Sequence, residues 1–512
     1  MSEKYIPNQK GSDRLQKKRF IKNGMILVIT SLLIRSTGLL FRSFLSEQLG
    51  AEGMGLYQLA LSVYMVFVLV SSSGVSMCST RLFADYSAAG DRGKAIGSVQ
   101  KCMIFSFVSG VMLSILLYAS SDVIAECLLQ DSRASLPLKL LSPSLPFLAV
   151  SAAVRGYFLA RRKTLPTSGE QLLEQLSEIC IFILLFSLHR PESLTEACCM
   201  TVSGTAAAEG LSFVYSLILF FTDKRRLSVT AEKTDGFVKR MLPLYLPVTA
   251  NACLRSGLSA AENALIPSGL QKFGFTPRDA ISRYGIISGM TMTALVFPSV
   301  LILPFAMLIV PEIAEIRVSS SPKSIRRISE VMITRTLQFA LPVTVWMLFF
   351  GIPLCKLLFK NEEAGIYLML LSPVVPFMYL DSVVDGILKG LNEQTSYFVF
   401  NTIDSILRVI LTALLLPLFG IAGVIAVIII SELLNTLMSL ARLIRLTKLR
   451  LSLTEAVLLP LITALIPCLT LQICPCLPHQ GADVLCKLTL CSVFCVLIHF
   501  GLKKTKPSFA AL

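Results

Sequence analysis

The stretch LLSPSLPF at residues 140–147 decides the fold, because it recurs as LLSPVVPF at residues 370–377. Six of the eight positions are identical between these two Leu/Pro motifs. A second pair, LIRS at 33–36 and CLRS at 253–256, recurs at a slightly shorter separation. Self-similarity at a long, nearly fixed separation predicts a chain built from two related halves.

The composition predicts that these halves lie in a membrane. Of the 512 residues, 54% are hydrophobic and 15% are charged, and the mean hydropathy is +0.71. A soluble domain carries about 25% charged residues, whereas a bilayer is crossed by roughly 20 consecutive apolar residues. We therefore predict an all-α polytopic membrane protein with about 14 transmembrane helices, at 24–43, 55–77, 101–120, 137–160, 169–188, 196–221, 240–263, 285–310, 334–358, 366–389, 397–418, 420–440, 454–474 and 485–502.

The distribution of charge predicts the orientation. The net charge of +15 comes from short Lys and Arg clusters between apolar runs, which is typical of cytoplasmic loops and not of a nucleic-acid-binding surface. Alternate loops are basic and the intervening ones are acidic or neutral, so both termini are predicted to be cytoplasmic. The basic loops contain Arg81, Arg92, Lys94, Arg161, Arg162, Lys163, Lys224, Arg225, Arg226, Arg317, Lys323, Arg326, Arg327, Arg442, Arg445, Lys448 and Arg450.

The repeats and the spans together predict the domain organisation. Six spans separate the copies, an even number, so the halves have the same orientation and are predicted to be related by a pseudo-twofold axis along the membrane normal. Gly156 maps onto Gly386 at the separation of the two Leu/Pro motifs. The predicted parts are a basic cytoplasmic N-terminus 1–23, an N-lobe 24–226, a C-lobe 240–445, two appended spans within 454–502 and a cytoplasmic tail 503–512.

Prolines within the fourth and tenth spans are candidate hinges. Each proline removes a backbone hydrogen bond and kinks a helix. Neighbouring helices or water can satisfy the freed carbonyls in a membrane protein. The paired positions predict two repeat-related flexing points, although kinks that only shape the packing are an equal alternative. These prolines are Pro143, Pro146, Pro373 and Pro376.

Charged residues within the first and seventh spans are the candidate substrate site. Arg35 and Arg42 are seven residues apart, and Arg255 and Glu262 have the same spacing at the repeat-related positions. A charge at mid-bilayer costs about 2.5–3.5 kcal/mol, so it faces a cavity or a partner. Arginines from both halves would form a basic patch that suits a diphosphate head group. The alternative is an Arg–Glu pair that locks the halves together.

Other intramembrane carboxylates have a simpler interpretation. Glu170, Glu174 and Glu178 recur every four residues and predict one helical stripe, which we interpret as solvated at the cytoplasmic end. Asp404 and Arg408 form an i, i+4 pair that neutralises itself.

No pattern predicts catalysis or a bound cofactor. The chain has three His residues and contains no Walker loop, G-x-S-x-G or H-E-x-x-H motif. We therefore predict no enzyme activity, no metal site and no resident cofactor. The energy for transport would come from a gradient, and a coupling cation, Na⁺ or H⁺, is left open.

Several motifs resemble one known family. GAEGMGLY at 50–57, STRLFADY at 79–86, RGYF at 155–158, and PTS at 166–168 with EQ at 174–175 resemble the stage V sporulation protein B group. That group is a polysaccharide-transporter branch of the multidrug/oligosaccharidyl-lipid/polysaccharide (MOP) flippase superfamily, which includes the MATE-like exporters. The chain departs from the pattern at Glu178, where family members often have an arginine.

The resemblance implies two six-helix lobes with two extra helices, alternating access and an arginine-rich cavity. It implies a flippase for an undecaprenyl-diphosphate-linked saccharide, such as a polysaccharide, peptidoglycan or spore-cortex precursor, in the bacterial plasma membrane. Its partners would be that lipid-linked oligosaccharide, membrane lipids and cell-wall synthesis enzymes, without nucleic acid. The alternatives are a cation-coupled multidrug exporter of the same fold and a non-transporting scaffold that recruits wall-synthesis enzymes.

Overall fold

Helices form all the regular structure of the described chain. The computed structural model describes residues 9–227, 232, 236–302, 306, 309–310, 312–314, 316–317, 322–473 and 489–490, and no β-strand occurs among them. The α-helices are α1 Gln9–Ala88, α2 Arg92–Val123, α3 Ser135–Leu141, α4 Leu145–Ala160, α5 Leu165–Leu188, α6 Leu194–Leu227, α7 Phe237–Phe273, α8 Pro277–Tyr284, α9 Met292–Val296, α10 Pro322–Phe359, α11 Glu362–Leu371, α12 Val375–Gly390, α13 Gln394–Phe419, α14 Ile421–Thr447 and α15 Leu459–Ile473.

The predicted class, an all-α polytopic membrane protein, is confirmed. Within the described residues, ten helical segments are long and apolar enough to cross a membrane. They do not establish the predicted count of about 14, because α1 contains two predicted spans and the predicted span 485–502 lies outside the described residues except for 489–490. The helix α7, which carries Arg255 and Glu262, is not among the ten.

Gly50 separates the first two predicted spans within α1. Its φ of 66° and ψ of −176° are non-helical, and a positive φ is costly for any residue with a Cβ. The helical runs 9–49 and 51–88 are therefore two helices joined at one residue.

The two halves repeat in their backbones as well as in their sequences. Helices α4 and α12 have the same length, and each starts at the sixth residue of its Leu/Pro motif. A Cβ at Gly156 would lie 2.4 Å from the carbonyl oxygen of Ser76, and a Cβ at Gly386 would lie 2.6 Å from that of Ala306. Both the glycines and their neighbours are related by the separation of the two motifs. The same helix–helix contact thus occurs once in each half.

The hinge-candidate prolines lie at breaks between helices. Short 3-10 turns, Ser142–Ser144 and Ser372–Val374, separate α3 from α4 and α11 from α12. Each proline occupies one of the first two positions of a 3-10 turn or of the following helix, where its missing N–H has no intrahelical partner to lose. The prolines thus end and restart helices, and their role as hinges stays a prediction.

The chain divides into two compact units. The N unit comprises Met1–Gly38, Val63–Ala125 and Ser132–Ser256, and the C unit comprises Leu39–Ser62, Glu126–Asp131 and Gly257–Leu512. The chain passes from one unit to the other within α1 and again within α7. The lobe boundaries 24–226 and 240–445 stay a prediction.

The N unit has an aromatic core that ends in an ion cluster. Tyr157 is fully buried and packs edge-to-face against Phe83 and Phe220. Its hydroxyl donates to Asp223 Oδ2 at 2.8 Å, and Lys163 Nζ reaches Asp223 Oδ1 at 2.6 Å. Arg161 also contacts Asp223. This carboxylate therefore fixes the turn after α4 against the C-terminal end of α6.

An ion pair in the C unit gives a prediction about pH. The hydroxyl of Ser396 and the guanidinium of Arg442 hold the pKa of Glu393 below its ordinary value. A carboxyl with a depressed folded-state pKa stabilises the fold above its unfolded pKa of about 4.3, and the effect is lost as the pH falls through the folded-state value. We expect Arg442→Ala to lower the free energy of unfolding at neutral pH by no more than about 1 kcal/mol, and to have no effect at strongly acidic pH.

Denaturant unfolding of the purified protein at both pH values checks this expectation. Arg445→Ala is the matched control, because Arg445 is an exposed arginine three residues further along α14. A destabilisation by Arg442→Ala that persists unchanged at acidic pH would contradict the assignment.

Candidate functional site

The four predicted cavity residues are divided between the units. Arg35 and Arg255 belong to the N unit, and Arg42 and Glu262 belong to the C unit. Arg35 is exposed, and the other three are partly exposed. Whether the repeat-related arginines form one basic patch stays a prediction.

Arg42 is held by a hydroxyl. Its Nη1 donates to Thr293 Oγ1 at 2.8 Å, and Thr293 in turn donates to the carbonyl oxygen of Gly289 at 2.7 Å. Because that carbonyl fixes the hydroxyl proton, the threonine oxygen is oriented to accept from the arginine. The contact positions the guanidinium without neutralising its charge, which suits an arginine that binds an anion.

Glu262 belongs to a charged cluster around Arg408. Arg408 Nε lies 2.9 Å from Asp404 Oδ2, and its Nη2 lies 2.5 Å from Glu432 Oε1. Glu262 interacts electrostatically with all three of these residues. The predicted i, i+4 pair of Asp404 and Arg408 is present, but the arginine is shared with a second helix.

The cluster extends onto α12 through Asp381. Asn435 Nδ2 donates to Asp381 Oδ2 at 3.0 Å, and Asp381 interacts electrostatically with Asp385, Glu432 and Asp404. Three carboxylates thus act on the guanidinium of Arg408, and Asp381 and Asp385 interact with that group through its carboxylates. We name this set the C-unit acidic cluster: Glu262, Asp381, Asp385, Asp404, Glu432 and Arg408.

A second cluster lies in the N unit, where a solvated stripe was predicted. Glu170 is 2% exposed, and its Oε1 lies 3.0 Å from Arg155 Nη1. The solvated interpretation is therefore wrong for Glu170, because α4 and α6 cover it. Four-residue periodicity groups side chains on one face but does not tell whether water or another helix covers that face. The arginine of RGYF, 15 residues earlier, was the missed signal.

The chemistry available in these clusters is ion binding. Among the described residues, no three His, Cys, Asp or Glu side chains are placed to hold a metal ion. In the C-unit acidic cluster the carboxylates outnumber the single arginine, so that cluster attracts positive charge.

The fold and the site together define a class: helical membrane proteins of two repeated halves, with ionisable clusters inside each unit. The comparisons with known proteins agree with this class. A family model described as polysaccharide biosynthesis protein matches residues 20–251. Stage V sporulation protein B of Bacillus subtilis (strain 168) is 23% identical over 385 residues, 74% of this chain and 74% of the relative. Lipid II flippase MurJ of the same organism is 22% identical over 433 residues, 78% of each chain.

Solved structures show the same fold. A lipid II flippase MurJ in an inward closed conformation has a TM-score of 0.71 and 16% identity, covering 94% of this chain and 99% of that chain. An inward-facing MATE-family transporter of the MOP superfamily has a TM-score of 0.65 and 13% identity, covering 82% and 99%. The resemblance to the stage V sporulation protein B group is confirmed, and the fold is the one shared by MurJ and the MATE-family transporter.

Proposed function

We propose that this protein is a flippase that moves a lipid-linked saccharide across the bacterial plasma membrane by alternating access. The observation that carries the proposal is the sequence similarity to a lipid II flippase over 78% of both chains, together with the shared fold. The substrate class is an undecaprenyl-diphosphate-linked polysaccharide, peptidoglycan or spore-cortex precursor. Both termini would lie in the cytoplasm, and the chain would catalyse no bond-making or bond-breaking step.

The head group would be bound by arginines of the first and seventh spans. Arg42 supports this role because its positioning partner is a hydroxyl rather than a carboxylate. Arg35 and Arg255 would grip diphosphate oxygens, since guanidinium forks match phosphate geometry. The polyprenyl tail would stay in lipid, and the predicted spans within 454–502 would line a groove for it.

A cation would couple this movement to a gradient. The C-unit acidic cluster supports that part of the proposal, because it contains five carboxylates and a single arginine. Such a surplus of negative charge away from water is stable only with bound protons or cations. Binding and release of Na⁺ or H⁺ beside Glu262 would then change the charge of the C unit during the cycle.

Head-group translocation in proteoliposomes tests the proposal. A fluorescent undecaprenyl-diphosphate oligosaccharide is reconstituted, and its appearance on the far leaflet is followed for wild type, Arg35→Ala and Arg255→Ala. Loss of a charged hydrogen-bond partner costs about 1.5–3 kcal/mol, so each variant is expected to slow translocation at least about tenfold. The matched control is Arg190→Ala, an exposed arginine between α5 and α6.

Two results would contradict the proposal. Wild-type protein that moves no lipid-linked saccharide removes the flippase assignment. If Arg35→Ala and Arg255→Ala translocate as fast as Arg190→Ala, the two arginines do not bind the head group. The flippase proposal would then stand without an assigned head-group contact.

The second candidate is a cation-coupled multidrug exporter of the same fold. The buried acidic clusters favour it, because a site for cationic drugs needs negative charge. Efflux of a cationic dye by wild type, without lipid translocation, would establish this alternative. A non-transporting scaffold for cell-wall synthesis enzymes is the third: it predicts that the cavity arginines can be replaced without loss of function.

A further inference from the structure

Helix α6 of the N unit has the reverse polarity of a soluble helix. Its buried face carries Ser216 and Asp223, whereas the opposite face exposes Val214 by 50% and Ile218 by 57%. A helix at a protein–water boundary buries its apolar face and exposes its polar one. The apolar face of α6 therefore lies toward lipid, in agreement with its place in the predicted span 196–221.

The apolar face borders a cavity of about 450 Å³. The described residues that line this cavity all belong to α6, and their spacing of three and four residues places them on one side of the helix. They form a strip of apolar side chains that ends in a hydroxyl and a guanidinium toward the C-terminal end of α6. We name this strip the α6 groove: Val214, Leu217, Ile218, Phe221, Thr222 and Arg225.

Arg225 brings to the groove a positive charge that its surroundings do not neutralise. Its exposed side chain makes no ion pair with any residue that the structure describes. The carboxylate closest to it along α6 is Asp223, which lies about 200° around the helix from Arg225. That carboxylate is already bonded to Tyr157 and Lys163 and contacts Arg161. The charge of Arg225 is therefore available to a ligand.

An anionic phospholipid suits both parts of the groove. Its acyl chains can pack on the apolar strip, and its phosphate can accept paired hydrogen bonds from a guanidinium. The stem of an arginine lies along apolar surface while its head reaches the lipid–water boundary. In the proposed orientation this end of α6 faces the cytoplasm, and basic residues beside a span attract the anionic lipids of that leaflet. Lys224 and Arg226 add to this attraction.

We propose that the α6 groove binds one anionic phospholipid of the cytoplasmic leaflet, with the phosphate on Arg225 and an acyl chain along Phe221 and Ile218. A lipid with a single phosphate fits better than one with a diphosphate, because Arg225 is the one charged side chain among the described residues that line the groove. The bound lipid is thus a structural ligand of the N unit, distinct from the proposed substrate.

Native mass spectrometry of the delipidated protein in detergent tests this site. The protein is titrated with dioctanoyl phosphatidylglycerol, and separately with dioctanoyl phosphatidylcholine, which has the same chains without net charge. We expect wild type to bind phosphatidylglycerol at least about tenfold more tightly, and Arg225→Gln to lose this preference, because hydrogen bonds between two charged groups are removed. Inorganic phosphate should not displace the lipid, because it has no acyl chains.

The matched control is Arg226→Gln, which changes the net charge equally at the neighbouring position. Arg226 is exposed and is not among the described residues that line the groove, so this variant should keep most of the preference for phosphatidylglycerol. Ile218→Ser should weaken the binding of both lipids, because it removes apolar surface and leaves the charge. Unchanged binding of phosphatidylcholine by Arg225→Gln shows that the groove itself is intact.

Three results would overturn the proposal. Equal losses in Arg225→Gln and Arg226→Gln mean that the attraction is spread over the basic end of α6 and belongs to no site. Equal binding of the two phospholipids by wild type means that charge plays no part. Tighter binding of undecaprenyl phosphate than of phosphatidylglycerol, lost in Arg225→Gln, assigns the groove to a polyprenyl lipid. None of these results depends on whether the protein translocates a lipid.

Discussion

Arg408→Met is expected to destabilise the protein by about 3–5 kcal/mol, because it removes one partner from a buried ion cluster. Arg408 lies within hydrogen-bonding distance of Asp404 and Glu432, and it also faces Glu262. Without the guanidinium these carboxylates would be left buried and uncompensated. Denaturant unfolding in detergent micelles measures the loss, with Arg445→Met as the control at an exposed arginine.

A compensated variant makes this prediction specific to charge. Adding Asp404→Asn and Glu432→Gln to Arg408→Met removes the unpaired charges as well as the arginine, and replacing a whole buried ion cluster is far less costly than breaking it. The triple variant should therefore recover most of the lost stability. Equal destabilisation of the single and triple variants would mean that Arg408 acts through packing and not through its charge.

Gly156→Ala and Gly386→Ala are each expected to destabilise the protein by about 1–3 kcal/mol, because a methyl group is forced into a close helix–helix contact. The added Cβ would lie 2.4 Å from the carbonyl oxygen of Ser76 in the first case and 2.6 Å from that of Ala306 in the second. Backbone carbonyls cannot rotate away as side chains can, so the helices must separate. Thermal unfolding of each variant measures the effect.

Gly210→Ala is the control, since a Cβ at that helical glycine meets nothing within 4 Å. Alanine in a helix interior stabilises by roughly 0.5–1 kcal/mol relative to glycine. The control should therefore be neutral or slightly more stable than wild type. If Gly156→Ala and Gly386→Ala behave like Gly210→Ala, the two close contacts do not limit the packing of α4 and α12.

The fold was predictable because its signals are local. Apolar runs of about 20 residues predict membrane-spanning helices. The Leu/Pro motif at 140–147 and its copy at 370–377 predict two related halves. Other repeated features had no such signal. Arg162 and Asn392 have φ of 54° and 66°, and Gln130 and Lys360 have φ of 55° and 53°. These left-handed turns occupy repeat-related positions without a glycine. Asn392 alone is of a residue type enriched in this conformation, so at the other three positions the path of the chain imposes it.

The candidate site was predictable only in part. An arginine within an apolar run identifies itself, as Arg42 does, but its partner Thr293 is 251 residues away and has no sequence signature. Burial of Glu170 likewise depends on how three helices pack, which periodicity along one helix does not specify. The sequence therefore shows which charged residues lie in apolar runs, but only the packing of the helices shows which side chains surround them.

The repeat also has a consequence for protein engineering. The halves keep the same backbone contact at Gly156 and Gly386, yet they carry opposite charges at Glu178 and Arg408. The same backbone position therefore carries a negative side chain in one half and a positive side chain in the other, so each half shows which substitutions the other half can be tested with. Because Arg408 is bound to Asp404 and Glu432, an exchange of these charges between the halves would have to include the partners of each charge.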